Sequence, residues 1–215
     1  MKIDKNTFKS NYLYKLYFNW RDMRFRRHEY ALAMKTRLAF IKEIIPRNTI
    51  GAELGVLKGE FSKILWKYAR PEKLHLIDPF YFLNSHWAWT DGDKSTVSAA
   101  RRILKSFQKE IETGCVLLHI DDDLKVLESF PDDYLDWVYV DSSHTYQHTL
   151  AELQVLKLKV KKDGIIAGDD WHTDMNHKHY GVAKAVKEFI GANEYSLIYS
   201  NSENLQWAIK KSDTD

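Results

Sequence analysis

Five times along this chain a short apolar run, of the kind that forms a buried strand, gives way to a helical pattern, and each of the five runs carries an acid at or near its end. The runs cover residues 49–55, 73–78, 115–121, 135–141 and 164–169. Helical stretches are expected over 28–45 (stopped by Pro46), 59–68, 94–112, 124–130 and 182–190. One more carries Leu150, Leu153, Leu156 and Val160 at intervals of three to four residues. Two further strands, 195–199 and 205–209, complete a set of seven. Strands that are apolar on both faces and alternate with helices predict an α/β fold: a doubly wound, mostly parallel seven-stranded sheet with helices on both faces. Such sheets bind ligands beyond the carboxyl ends of their strands, where the strand order reverses. The acids at those ends therefore become the candidate site: Glu53, Asp78, Asp121 to Asp123, Asp141, and Asp169 with Asp170.

Bulk properties exclude some alternatives. A net charge of +2 gives no general case for nucleic acid, and no nucleic-acid partner is expected. No apolar run has the ~18 residues of a membrane span, and the N-terminus lacks the apolar core of a signal peptide, so a cytoplasmic protein is expected. The one cysteine, Cys115, excludes an internal disulfide and is read as a buried strand residue. Residues 1–35 stand apart as a basic, aromatic helical arm, with residues 36–215 as the main domain. The first 36 residues hold nine Lys or Arg against three Asp or Glu, with Phe8, Tyr12, Tyr14, Tyr17, Phe18, Trp20, Phe25 and Tyr30. The arm is expected to pack on the domain or on a second copy in a homodimer.

The first strand runs into Gly51-Ala52-Glu53-Leu54-Gly55-Val56-Leu57-Lys58-Gly59. Gly55 and Gly59 permit a tight turn and a close approach of backbone to ligand. A dinucleotide loop has G-x-G-x-x-G and seats a pyrophosphate on the following helix. Here Glu53 stands at the first glycine, where its carboxylate repels a pyrophosphate and attracts a cation. S-adenosylmethionine carries an ammonium and a sulfonium and no phosphate, so this loop suits it better than a nicotinamide dinucleotide. Asp78, 23 residues after Gly55, is placed to accept from both hydroxyls of a ribose.

These motifs resemble the first two of the class I S-adenosylmethionine methyltransferases, which share a Rossmann-like fold. The later segments Val140-Asp141-Ser142-Ser143-His144-Thr145-Tyr146 and Gly164-Ile165-Ile166-Ala167-Gly168-Asp169-Asp170-Trp171 are similar to the small bacterial O-methyltransferases of methyltransferase family 24, relatives of catechol and macrolide-sugar O-methyltransferases. The resemblance spans about residues 36–210. It implies that Glu53 holds the methionine ammonium, Gly55 and Gly59 line the methionine, Asp78 binds the ribose and Asp122 lies near the adenine. Two positions depart from the pattern: Phe61 where relatives often have a serine, and Ile120 where a glycine is common.

Asp141, Asp169 and Asp170 end two strands that are expected to be neighbours. Three converging carboxylates repel unless a divalent cation joins them, and oxygen donors suit Mg²⁺ or Mn²⁺. The resemblance carries the same metal role onto these three. His144, three residues beyond Asp141, has the pKa range of a general base and matches the position of the base in relatives. The expected function is therefore metal-assisted O-methylation of a small-molecule hydroxyl. A metal-independent O- or N-methyltransferase and a non-catalytic binder of the same cofactor are the alternatives. The aromatic loop Phe80, Tyr81, Phe82, Trp87, Trp89 is a candidate cover for the pocket. His172, His177 and His179 are read as a histidine-rich surface loop, with a transition-metal cluster as the rival reading.

Overall fold

The structure is a computed structural model that describes residues 35–80 and 96–212. The N-terminal arm, but for its last residue, and the loop residues Tyr81, Phe82, Trp87 and Trp89 lie outside the described residues. The chain divides into two units, Met1–Ala39 and Phe40–Asp215, and the site belongs to the second. The described elements are α1 (residues 35–44), β1 (Ile50–Leu54), α2 (Glu60–Ala69), β2 (Lys73–Ile77), α3 (Thr96–Ser106), α4 (Gln108–Glu112), β3 (Val116–His119), α5 (Asp123–Ser129), β4 (Leu135–Val140), α6 (Tyr146–Lys159), β5 (Val160–Gly168), α7 (Tyr180–Ala192), β6 (Tyr195–Ser200) and β7 (Trp207–Lys211). No described helix is long and apolar enough to cross a membrane.

The seven strands form one sheet in the order β3-β2-β1-β4-β5-β7-β6. All neighbouring pairs from β3 through β5 are parallel; β7 runs antiparallel to both β5 and β6. Order reverses between β1 and β4, so the crevice of a doubly wound sheet opens there. Alternating side chains feed two cores. Val138 and Val140 pack in one with Leu153, Leu156, Val186 and Phe189, while Trp137 and Tyr139 pack in the other with Phe40, Phe61, Leu65 and Ile103. Burial on both faces is why these strands read as unbroken apolar runs.

Three sequence expectations need correction. The helix expected over 94–112 is two, because the chain leaves helical geometry at Phe107 (φ −115°), whose ring is buried. Val160 belongs to β5 and pairs with Leu135; four residues after Leu156, it could not be told from a further helical position. Cys115 is only half-buried and precedes β3.

Candidate functional site

The loop after β1 is held by its neighbours on both sides. The Gly55 amide donates to the Ile77 carbonyl (2.9 Å), and the Asp141 amide donates to the Leu54 carbonyl (2.8 Å). Gly55 has φ +83°, and a Cβ there would sit 2.0 Å from the Asp141 carbonyl oxygen. Only glycine permits that backbone conformation and that approach together. Gly59, at φ +76°, is the N-cap of α2 and makes no side-chain cap hydrogen bond.

Glu53 is buried on β1, in register between Leu76 and Tyr139. Asp78 lies just beyond β2 and clamps the glycine loop. One carboxylate oxygen accepts from the amides of Val56 (2.9 Å) and Leu57 (2.8 Å), the other from that of Phe80 (2.8 Å). Burial raises the Asp78 pKa, and those three amides only partly offset it. This loop-holding work was not legible in the sequence, where only a ribose contact was expected. Asp122 caps α5 by accepting from the Lys125 amide (3.3 Å). Phe61 stacks against Tyr139 in the core (centroids 4.4 Å apart). Ser62 is also buried, and Ile120 is exposed.

β4 and β5 are neighbours, and residues that follow them meet around Asp170. His144 Nδ1 lies 2.5 Å from Asp170 Oδ2. His179 Nδ1 lies 3.0 Å and His172 Nε2 3.4 Å from Asp170 Oδ1. The His144 and His179 rings stack, with centroids 4.7 Å apart and planes 2° from parallel. Burial would raise Asp170, but hydrogen bonds and charge from His144 and His179 outweigh it and hold its carboxyl far below the usual range. Burial would lower His144, but the hydrogen bond and charge of Asp170, then the charge of Asp141, leave it above the ordinary imidazole value.

Asp169 faces a different partner. Its Oδ1 accepts from Gln206 Nε2 (2.5 Å), and Gln206 Oε1 accepts from the Tyr139 hydroxyl (2.5 Å). Among the described residues, two groups bring three donor atoms all within 4.8 Å of one another: His144, Asp170 and His179, and Asp123, His148 and Glu152. Asp141 and Asp169 belong to neither. His179 is buried and so is not a surface residue as expected, whereas His172 and His177 are half-buried on a segment whose residues 173–176 are exposed.

Residues 52–171, more than half of the chain, match a family profile described as a methyltransferase domain, numbered 24. The chain belongs to this methyltransferase-domain family. Solved structures agree with the methyltransferase fold. A putative rRNA-methylase from Clostridium thermocellum is similar at TM-score 0.59 and 11% identity, over 85% of this chain and 97% of that one. The SAH-bound methyltransferase PaMTH1 of Podospora anserina is similar at 0.56 and 12%, over 82% and 76%. A putative methyltransferase from Streptococcus mutans in complex with SAH is similar at 0.52 and 11%, over 82% and 94%. No curated protein matches the sequence significantly.

Proposed function

We propose that this chain transfers a methyl group from S-adenosylmethionine to the hydroxyl of a small molecule, with His144 as general base. The observation that carries the proposal is the 2.5 Å contact of His144 Nδ1 with Asp170 at the rim beside the β1–β4 crevice. The SAH bound by two structural neighbours supports the cofactor. S-adenosylmethionine supplies an electrophilic methyl on sulfur. Glu53 offers a carboxylate to its ammonium, the positive N-terminal end of α2 suits its carboxylate, and Asp78 holds the loop that would line it. With Nδ1 engaged by Asp170, Nε2 is the nitrogen that takes the acceptor's hydroxyl proton as the oxygen attacks the methyl carbon and the carbon–sulfur bond breaks. Asp170 then stabilises the imidazolium. The remaining task is alignment and exclusion of water.

Asp78→Ala should weaken S-adenosylhomocysteine binding by roughly tenfold or more, since loss of a charged hydrogen-bond anchor costs about 1.5–3 kcal/mol. Calorimetry measures it, and wild-type affinity in the variant would remove Asp78 from the cofactor site.

A divalent ion at the same rim is the second reading, favoured by the clustered donors of His144, Asp170 and His179. That set is richer in imidazole than the Asp141, Asp169 and Asp170 trio expected for Mg²⁺ or Mn²⁺, and suits a transition ion better. An ion held there would polarise the acceptor oxygen. Three imidazoles already surround the single Asp170 carboxylate, so methyl transfer is expected to survive exhaustive chelation. Loss of activity that a divalent ion such as Zn²⁺, Mn²⁺ or Mg²⁺ restores would select the metal-assisted reading.

A further inference from the structure

We propose that Asp123, His148 and Glu152 form a separate binding site for a divalent transition ion of the Zn²⁺ class. The three come from two elements: Asp123 opens α5, and His148 and Glu152 are one turn apart on α6. His148 Nε2 lies 3.0 Å from Asp123 Oδ2 and 3.7 Å from Glu152 Oε1. One donor atom from each falls within 4.8 Å of the others. The Ser142 hydroxyl donates to Glu152 Oε1.

Burial and charge argue for a cation here. The Glu152 side chain is 0% exposed, and its Oε2 has no hydrogen-bond partner. A second carboxylate, Asp123, is buried beside it. A carboxylate oxygen without a donor in the interior is costly, and two such acids so close repel. Burial, and then the charge of Asp123, push the Glu152 carboxyl well above its ordinary value, so without an ion it holds a proton that it shares with Asp123. A divalent ion with two carboxylates and a neutral imidazole is electrically balanced and fills the unused oxygen. Mixed nitrogen and oxygen donors suit Zn²⁺ better than Mg²⁺ or Ca²⁺. The half-buried His148 gives the ion a way in. The Asp170 group differs in charge, with one carboxylate already ringed by three imidazoles. An ion at Asp123, His148 and Glu152 would pin the start of α5 to α6 and to the turn at Ser142. It would do so whether or not the chain transfers methyl groups.

The test uses the full chain carrying His179→Ala, which removes a donor from the other cluster, stripped with a chelator. Calorimetry with Zn²⁺ and visible absorption with Co²⁺ as a spectroscopic stand-in are the readouts. One Zn²⁺ per chain, Co²⁺ ligand-field bands and a raised melting temperature are expected. Adding His148→Ala, at a half-buried position that should tolerate it, is expected to weaken Zn²⁺ at least tenfold and erase the bands. Glu152→Gln should do the same. No Zn²⁺ binding by the His179→Ala chain would overturn the site and leave a buried protonated acid in its place. Equal binding after His148→Ala would overturn it too.

Discussion

Alanine at position 144 should lower turnover by about 10²–10⁴, the usual worth of a positioned general base, while S-adenosylhomocysteine binds as before. The split follows from geometry: His144 follows β4 and pairs with Asp170, whereas Glu53, Asp78 and the glycines belong to β1, β2 and the loops that follow them. The pH profile is a second readout. A base works when neutral, and Asp170 with Asp141 holds His144 above the ordinary imidazole value. The rising limb of kcat/KM should therefore lie on the alkaline side of about 6.5. Asp170→Asn removes the strongest influences raising His144, so the limb should move to lower pH and the plateau should fall. Full activity in the His144→Ala chain, measured with any accepted hydroxyl substrate, would end the proposal.

Acid should destabilise the fold through His75. This imidazole sits on β2 among His119 (2.9 Å), the Tyr134 hydroxyl (3.1 Å) and the Phe130 ring. Burial, followed by the charges of His119 and Lys73, pushes it down to about 3. An unfolded chain protonates this group near 6.5, whereas the folded one resists until far lower pH. Its stabilising contribution is therefore complete above 6.5 and is lost as pH falls toward 3. Between pH 7 and pH 5 the loss is about 2 kcal/mol. Glu152 and His144, both raised, act with the opposite sign, so the measurement is a difference. Urea unfolding at the two pH values should show wild type losing about 2 kcal/mol more than His75→Leu. Equal losses would mean that His75 takes up its proton without strain.

Fold and site were legible to different depths. The parallel strands announced themselves because both faces are buried, and Glu53, Gly55, Gly59 and Asp78 sat where a ligand loop must turn. What escaped depended on contacts between distant segments. That Asp78 clamps the Val56 and Leu57 amides shows only once β1 and β2 lie side by side. That His179, nine residues after Asp170, folds back to 3.0 Å from its carboxylate is likewise invisible in the sequence. The nearness of His172, His177 and His179 to the end of β5 was the available signal. Gln206 had no signal at all, since it reaches Asp169 only because β7 runs antiparallel beside β5.

That last arrangement bears on the order of assembly. Among the described residues, β6 joins the sheet solely through β7, which is made after it. Residues 195–200 thus emerge with no partner to zip onto and must wait until 207–211 slot in beside β5. The same late insertion delivers the amide that fastens Asp169, so one rim of the cleft cannot set until the sheet's far edge closes. A nascent chain arrested between these strands should have a finished β1–β5 half and an unformed pocket wall.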